Sequence, residues 1–321
     1  PLSNEDHFQL MVKYAREELE IQLQNENSGV GWYTKDVTHA IEQTAKASPF
    51  AATPEGRSIL LNIAGIFSVG LQPAQAWIMA VKVMESYEKT GKLFTKRYLA
   101  DRSLGEEIKL NLENIDKETG KPKPLGWGPK GAINSKHLSL YKALVEREGG
   151  ILEAADWLFS KHTKEEINET YQLAFKGKIY NAKQIKNDPS PVWGALVVGE
   201  KLGRYMMGIN GVELGPEDAT VDVWYTRTWR RWQGRLREAP LDEDLGVVEG
   251  PDPKENQRER KAIFRLTEIL SEETGLSGGD VQAALWFREK KVWAAHGAPL
   301  NEGTSSEGAK RLLESRGIQY D

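Results

Sequence analysis

Two short segments hold residue types able to do chemistry at a suggestive spacing. Gly199-Glu200-Lys201 puts an amine at the opening of one helix, and Val221-Asp222-Val223-Trp224 puts a carboxylate at the opening of the next. A lysine amine partly shielded from water can act as a nucleophile, and a fixed carboxylate supports positive charge where it develops. The stretch 194–236 reads as turn, helix, loop, helix. In the first helix Leu202, Tyr205, Met206 and Ile209 share one face at ~100° per residue, so that face belongs to a core and Lys201 sits half shielded at its edge. In the second, Asp222, Thr226 and Trp229 fall on one side, and Arg227, Arg230 and Arg231 form a flank able to meet phosphates. Asp222 is also well suited to be a simple N-cap.

The Gly-x-Lys and Val-Asp segments, at this separation, resemble the helix-hairpin-helix DNA glycosylase superfamily, which includes the endonuclease III, adenine glycosylase and 8-oxoguanine glycosylase families. The resemblance implies an all-α, two-lobed fold with a DNA cleft between the lobes. It also implies double-stranded DNA with a flipped base as partner, and no metal or organic cofactor. By the same resemblance Lys201 is the amine that attacks the sugar C1′, and Asp222 the carboxylate that supports the cationic transition state. Gly199, Arg204, Arg227, Arg230, Arg231 and Lys130 are the expected DNA contacts. Base flipping calls for wedges and pocket walls, and Gln72, Trp127, Tyr205 and Trp229 are the candidates.

Two features depart from the family pattern. The hairpin reads Ala195-Leu196-Val197-Val198-Gly199 without a Pro-Gly tip, and Trp224 stands where a histidine is often found. They leave room for a bacteriophage thymine-hypermodification enzyme on the same scaffold, an amine transferase or pyrophosphorylase that modifies the base and spares the sugar bond. A non-catalytic DNA-binding or virion-associated helical protein is the third reading.

Composition bounds these readings. The chain has 321 residues, enough for one large domain or two lobes, and 39% hydrophobic residues fill a core. With a formal net charge of -4, DNA contact has to come from a local basic patch. The absence of cysteine removes disulfides, thiolate metal sites and iron–sulfur clusters. His7, His39, His137, His162 and His296 lack metal-ligand spacing. The loop 126–131 lacks the Gly-Lys-Ser/Thr ending of a phosphate loop, which argues against nucleotide hydrolysis and leaves Trp127 and Lys130 as tips that touch DNA or the base. The apolar run 59–71 is too short for a membrane span. A soluble cytoplasmic protein, of a bacterial host if phage-encoded, is expected.

Helical spacing dominates and alternation is nearly absent. Helices are expected at 4–24, 35–46, 58–69, from Pro73 to near Gly91, at 254–273 and at 280–296. Gly275 and Gly297 act as stops. Ser135 and Thr163 read as caps, the latter with Glu166 as a capping box. Residues 114–134, with three prolines and four glycines, read as a loop. Trp229 and Trp286 suit a core, and Gln282 stands on a helix that packs on the N-terminal helices with a substrate within its reach. The expected lobes are 1–50 with 212–300 and 51–211, with 301–321 as a polar tail.

Overall fold

A computed structural model describes residues 4–68, 71–93, 129–177, 190–212, 219–221, 223–234, 253–297 and 304–321, with 129–135, 200, 223 and 253–257 described in backbone only. Among the described residues the chain is almost wholly helical. In order come α1 (Asn4–Leu23), α2 (Trp32–Ala47), α3 (Pro54–Phe67), α4 (Pro73–Thr90), α5 (Pro129–Glu148) and α6 (Ile151–Leu158). They are followed by α7 (Lys164–Gln172), α8 (Glu200–Ile209), α9 (Val223–Trp232), α10 (Pro253–Thr274), α11 (Gly278–Ala295) and α12 (Ser305–Ser315). A two-residue ladder, β1 (Lys161–His162) against β2 (Val192–Trp193), is antiparallel and pairs Lys161 with Trp193. No described helix is long and apolar enough to cross a membrane.

The chain forms two compact units, 1–33 with 213–302 and 34–212 with 303–321. In the first, the apolar stripe of α1 (Phe8, Met11, Val12, Ala15, Leu19) recurs at three and four residues and is buried. It shares one core with Tyr225, Trp229 and Trp232 of α9, Ile263, Leu266 and Leu270 of α10, and Val281, Ala284 and Leu285 of α11. The hydroxyls of Tyr225 and Thr267 meet at 2.6 Å inside it. Gly275, at φ 70°, ends α10 by donating to the Ser271 carbonyl, and Ser277 opens α11 by accepting from the Asp280 N–H.

The second unit is built around α3. Thr53 caps it by accepting from the Gly56 N–H at 3.0 Å, and every residue from Ser58 to Phe67 is buried. Trp77 of α4, with no exposed surface, donates its indole N–H to Thr44 on α2. Gly308 lets α12 close onto α4, since a Cβ there would lie 2.9 Å from that of Trp77. Gly65 likewise accepts the Met206 side chain from α8. Thr163 and Glu166 complete the capping box of α7.

Three expectations are corrected. Residues 301–321 are not a tail throughout, because Thr304 caps α12, Asp36 accepts from the Ser305 and Ser306 N–H groups, and Leu312 and Leu313 are buried. The loop read at 114–134 ends earlier. Pro129 opens α5, where its missing N–H costs nothing, and Ser135 lies within the helix instead of capping it. The first unit ends at Tyr33 and not near residue 50, so most of α2 belongs with α3.

Candidate active site

Residues Gly194–Val198 form a short 3-10 helix that ends at Gly199, whose φ of 101° and ψ of 151° suit glycine alone. Its N–H bonds the Leu196 carbonyl at 2.8 Å, and its carbonyl takes the Gly203 N–H at 2.8 Å, which starts α8. Gly203 lies against the Ala195 carbonyl, with Leu196 Cα only 2.9 Å from where a Cβ would stand, so helix and turn form one packed piece. Leu202, Met206, Met207 and Ile209 are buried. Lys201 is exposed and not half shielded as its edge position suggests, since it lies roughly 140° around the helix from Met206, which faces α3. Tyr205 is partly buried. Desolvation, and then the Asp36 carboxylate, push its hydroxyl well above the ordinary range, so it stays neutral. Arg204 is partly buried beside it in sequence. At the far end of α8, Asn210 donates to the Met206 carbonyl at 2.8 Å and to Asn62 of α3 at 3.3 Å.

Lys201 belongs to the second unit. Asp222 lies outside the described residues, and its neighbour Val221 is a buried member of the first unit. The arginine flank of α9 is largely committed to carboxylates. Arg230 forks onto Glu259 at 3.1 and 2.9 Å, and Arg231 forks onto Glu18 and reaches Glu289 at 2.9 Å. These two are therefore corrected from phosphate contacts to internal ion pairs. The Arg227 guanidinium lies 4.7 Å from the Trp224 ring centroid and 5.6 Å from that of Trp293. Trp229 is no wedge either. It is 4% exposed and packs near Phe8 at 6.4 Å between ring centroids.

Among the remaining candidates, Gln72 is exposed at the N-cap of α4, where its side chain makes no cap bond. Trp127 lies outside the described residues. Lys130 is in the first turn of α5, not in a loop, and its side chain lies outside the description. Among the described residues no group of three or more His, Asp or Glu side chains is placed to hold a metal ion.

Two clusters escaped the sequence reading. In the first unit Trp286 is only partly buried and lies 5.2 Å from Trp32 between ring centroids, while Tyr33 donates to Gln282 at 2.6 Å. Gly29, at φ 88°, permits this, because a Cβ there would be 2.8 Å from Phe287. The four-residue spacing of Gln282 and Trp286 on one helix was the available signal. In the second unit the Lys161 ammonium lies 5.5 Å from the Trp193 ring centroid, and Trp157 stacks on His162 at 4.2 Å. A two-residue strand has too short a pattern to read.

Comparison of the chain with protein-family models, with curated proteins and with solved structures returns no match.

Proposed function

We propose that the chain binds double-stranded DNA, takes one base out of the stack and breaks its N-glycosidic bond, with Lys201 and Asp222 as the reacting pair. The observation that carries this reading is the setting of Lys201. Its side chain is open in the first turn of α8, directly after a glycine-specific turn, while the same helix is anchored through Leu202, Met206 and Ile209. An amine on a rigid support and open on one side suits a macromolecular substrate, whose docking supplies the shielding from water that the free chain does not give Lys201.

In the reaction the C1′–N bond breaks with its electron pair leaving on the base, which takes a proton from water. The Asp222 carboxylate supports the positive charge that builds on the sugar. The Lys201 amine supplies the electron pair for a new C1′–N bond and loses a proton. Opening of the sugar ring then gives a Schiff base that a lyase step can resolve. The supporting evidence is the paired motif and its spacing, together with the rigid mounting of the amine.

Borohydride trapping on duplexes bearing damaged or hypermodified bases, and on one abasic duplex, tests the reading. A covalent adduct that persists in Asp222→Asn on the abasic duplex and vanishes in Lys201→Ala is expected. DNA binding without adduct or base release would replace it with modification of the base or with a non-catalytic DNA-binding role.

A further inference from the structure

We propose that Lys161, carried over the Trp193 ring, is a contact for a DNA phosphate that seats the strand beside the Lys201 turn. It rests on the reading of DNA as the partner and adds a contact that lies outside the hairpin and the α9 arginines.

Lys161 is held by backbone geometry. The antiparallel ladder sets it directly opposite Trp193, and the Gly194 N–H bonds the Ser160 carbonyl at 2.9 Å. The turn toward Lys201 begins at the next residue after Trp193. Gly194 lies against Trp157, whose ring carbons would stand 3.0 Å from a Cβ there. Ladder, turn and α8 are thus packed in sequence, and exposed lysines 161 and 201 lie at the two ends of the turn.

The cations of this unit differ in what they rest against, some on carboxylates and some, such as Lys136 at 5.7 Å from the Phe175 ring centroid, by an aromatic face. In the same unit Lys46, Lys142, Arg147, Arg311 and Arg316 each pair with a carboxylate. Lys161 has no ion pair among the described residues, and its ammonium rests by an aromatic face instead. A ring attracts the cation without neutralising it, so charge and N–H donors stay available to an anion. Glu166, five residues on, turns its Oε2 to the Thr163 N–H and hydroxyl at 2.8 and 3.0 Å and makes no ion pair with Lys161. In a chain of net charge -4, an ammonium kept in place and kept unpaired fits a polyanion that must be positioned, not read.

A purely structural role, in which the lysine stem only covers Trp193, predicts different behaviour, and the substitution Lys161→Met separates the two. It keeps the apolar cover and removes the charge. Fluorescence anisotropy with a labelled duplex, over a range of salt concentrations, should show K161M binding more weakly at low salt. The slope of log affinity against log salt should be shallower by about 0.9, the value for one phosphate, and K161R should restore it. The thermal midpoint of K161M should stay at the wild-type value. An unchanged slope in K161M, with wild-type binding intact, overturns this inference alone. Failure of the wild-type chain to bind the duplex at any salt overturns it together with the proposed function.

Discussion

Arg231 grips Glu18 with both terminal nitrogens, at 2.7 and 2.6 Å, although the two residues are 213 positions apart in the chain. The same guanidinium reaches Glu289, which has no exposed surface and also accepts the Trp293 indole N–H at 2.7 Å. The first unit therefore carries an ion pair in its interior that joins α1, α9 and α11.

Removing the cation should be costly. Arg231→Ala leaves the buried Glu289 charge without its counterion, and a loss of about 3–5 kcal/mol is expected, read from urea denaturation at neutral pH. An apolar triple replacement, R231M with E18L and E289L, should recover most of that loss, because desolvation of all three charges disappears with them.

His137 gives the fold a pH-dependent contribution. It is 8% exposed, and burial lowers its pKa from 6.5 to about 4. The folded state thus holds the ring neutral where the unfolded chain would protonate it. This contribution is whole above about 6.5, declines as pH falls through the interval, and is gone below about 4. Stability measured from pH 7 to pH 4 should fall by roughly 3 kcal/mol less in His137→Leu than in the natural chain. Parallel curves for the two would reject the assignment.

Glu5 answers to its partner. Hydrogen bonds from Arg265, and secondarily from Gln9, hold its carboxyl at about 2, well below the ordinary 4.5. The associated stabilisation is present above about 4.5 and is lost as pH falls toward 2. The pair is exposed and is screened by salt. In Arg265→Ala, the Glu5 carboxyl followed by NMR should titrate close to 4.5, and the same change should shrink the salt sensitivity.

Much of the helical plan was readable because helix ends are decided locally. Pro73, Thr163 with Glu166, Gly275 and Gly297 fall where their types dictate, since a cap or a stop needs only about four residues of context. The fates of Arg230 and Arg231 were not readable. A helical wheel gives the face on which a guanidinium lies, but Glu259 and Glu18 come from distant helices. Trp229 lies in the core, as its spacing suggests, and only its reading as a wedge fails, because part of its cover comes from the distant α1. At the candidate site the turn and α8 follow from Gly199 and the apolar spacing. The openness of Lys201 depends on α3 taking the opposite side, which no local pattern states.

The close approach of α8 to its preceding turn gives a further test. Gly203→Ala would press a methyl group on the Ala195 carbonyl and the Leu196 backbone, and neither belongs to a flexible side chain. A loss of about 1–3 kcal/mol in denaturation is expected. Under the proposed function, trapping through Lys201 should fall with it. Gly211→Ala, with open space around its Cβ but a φ of 73°, should cost stability without moving the turn.

Because the first unit is assembled from 1–33 and 213–302, its parts are synthesised at widely separated times. Helix α1 leaves the ribosome with Phe8, Met11, Val12, Ala15 and Leu19 along one side, and the helices that cover that side follow only after the whole of 34–212. At ordinary translation rates the wait is roughly 10–50 s. During it the nascent chain carries an uncovered apolar stripe beside a second unit that can already begin to pack. The price of this interleaved plan is an apolar surface left open during synthesis, of the kind that invites misassociation, which the finished fold no longer reveals.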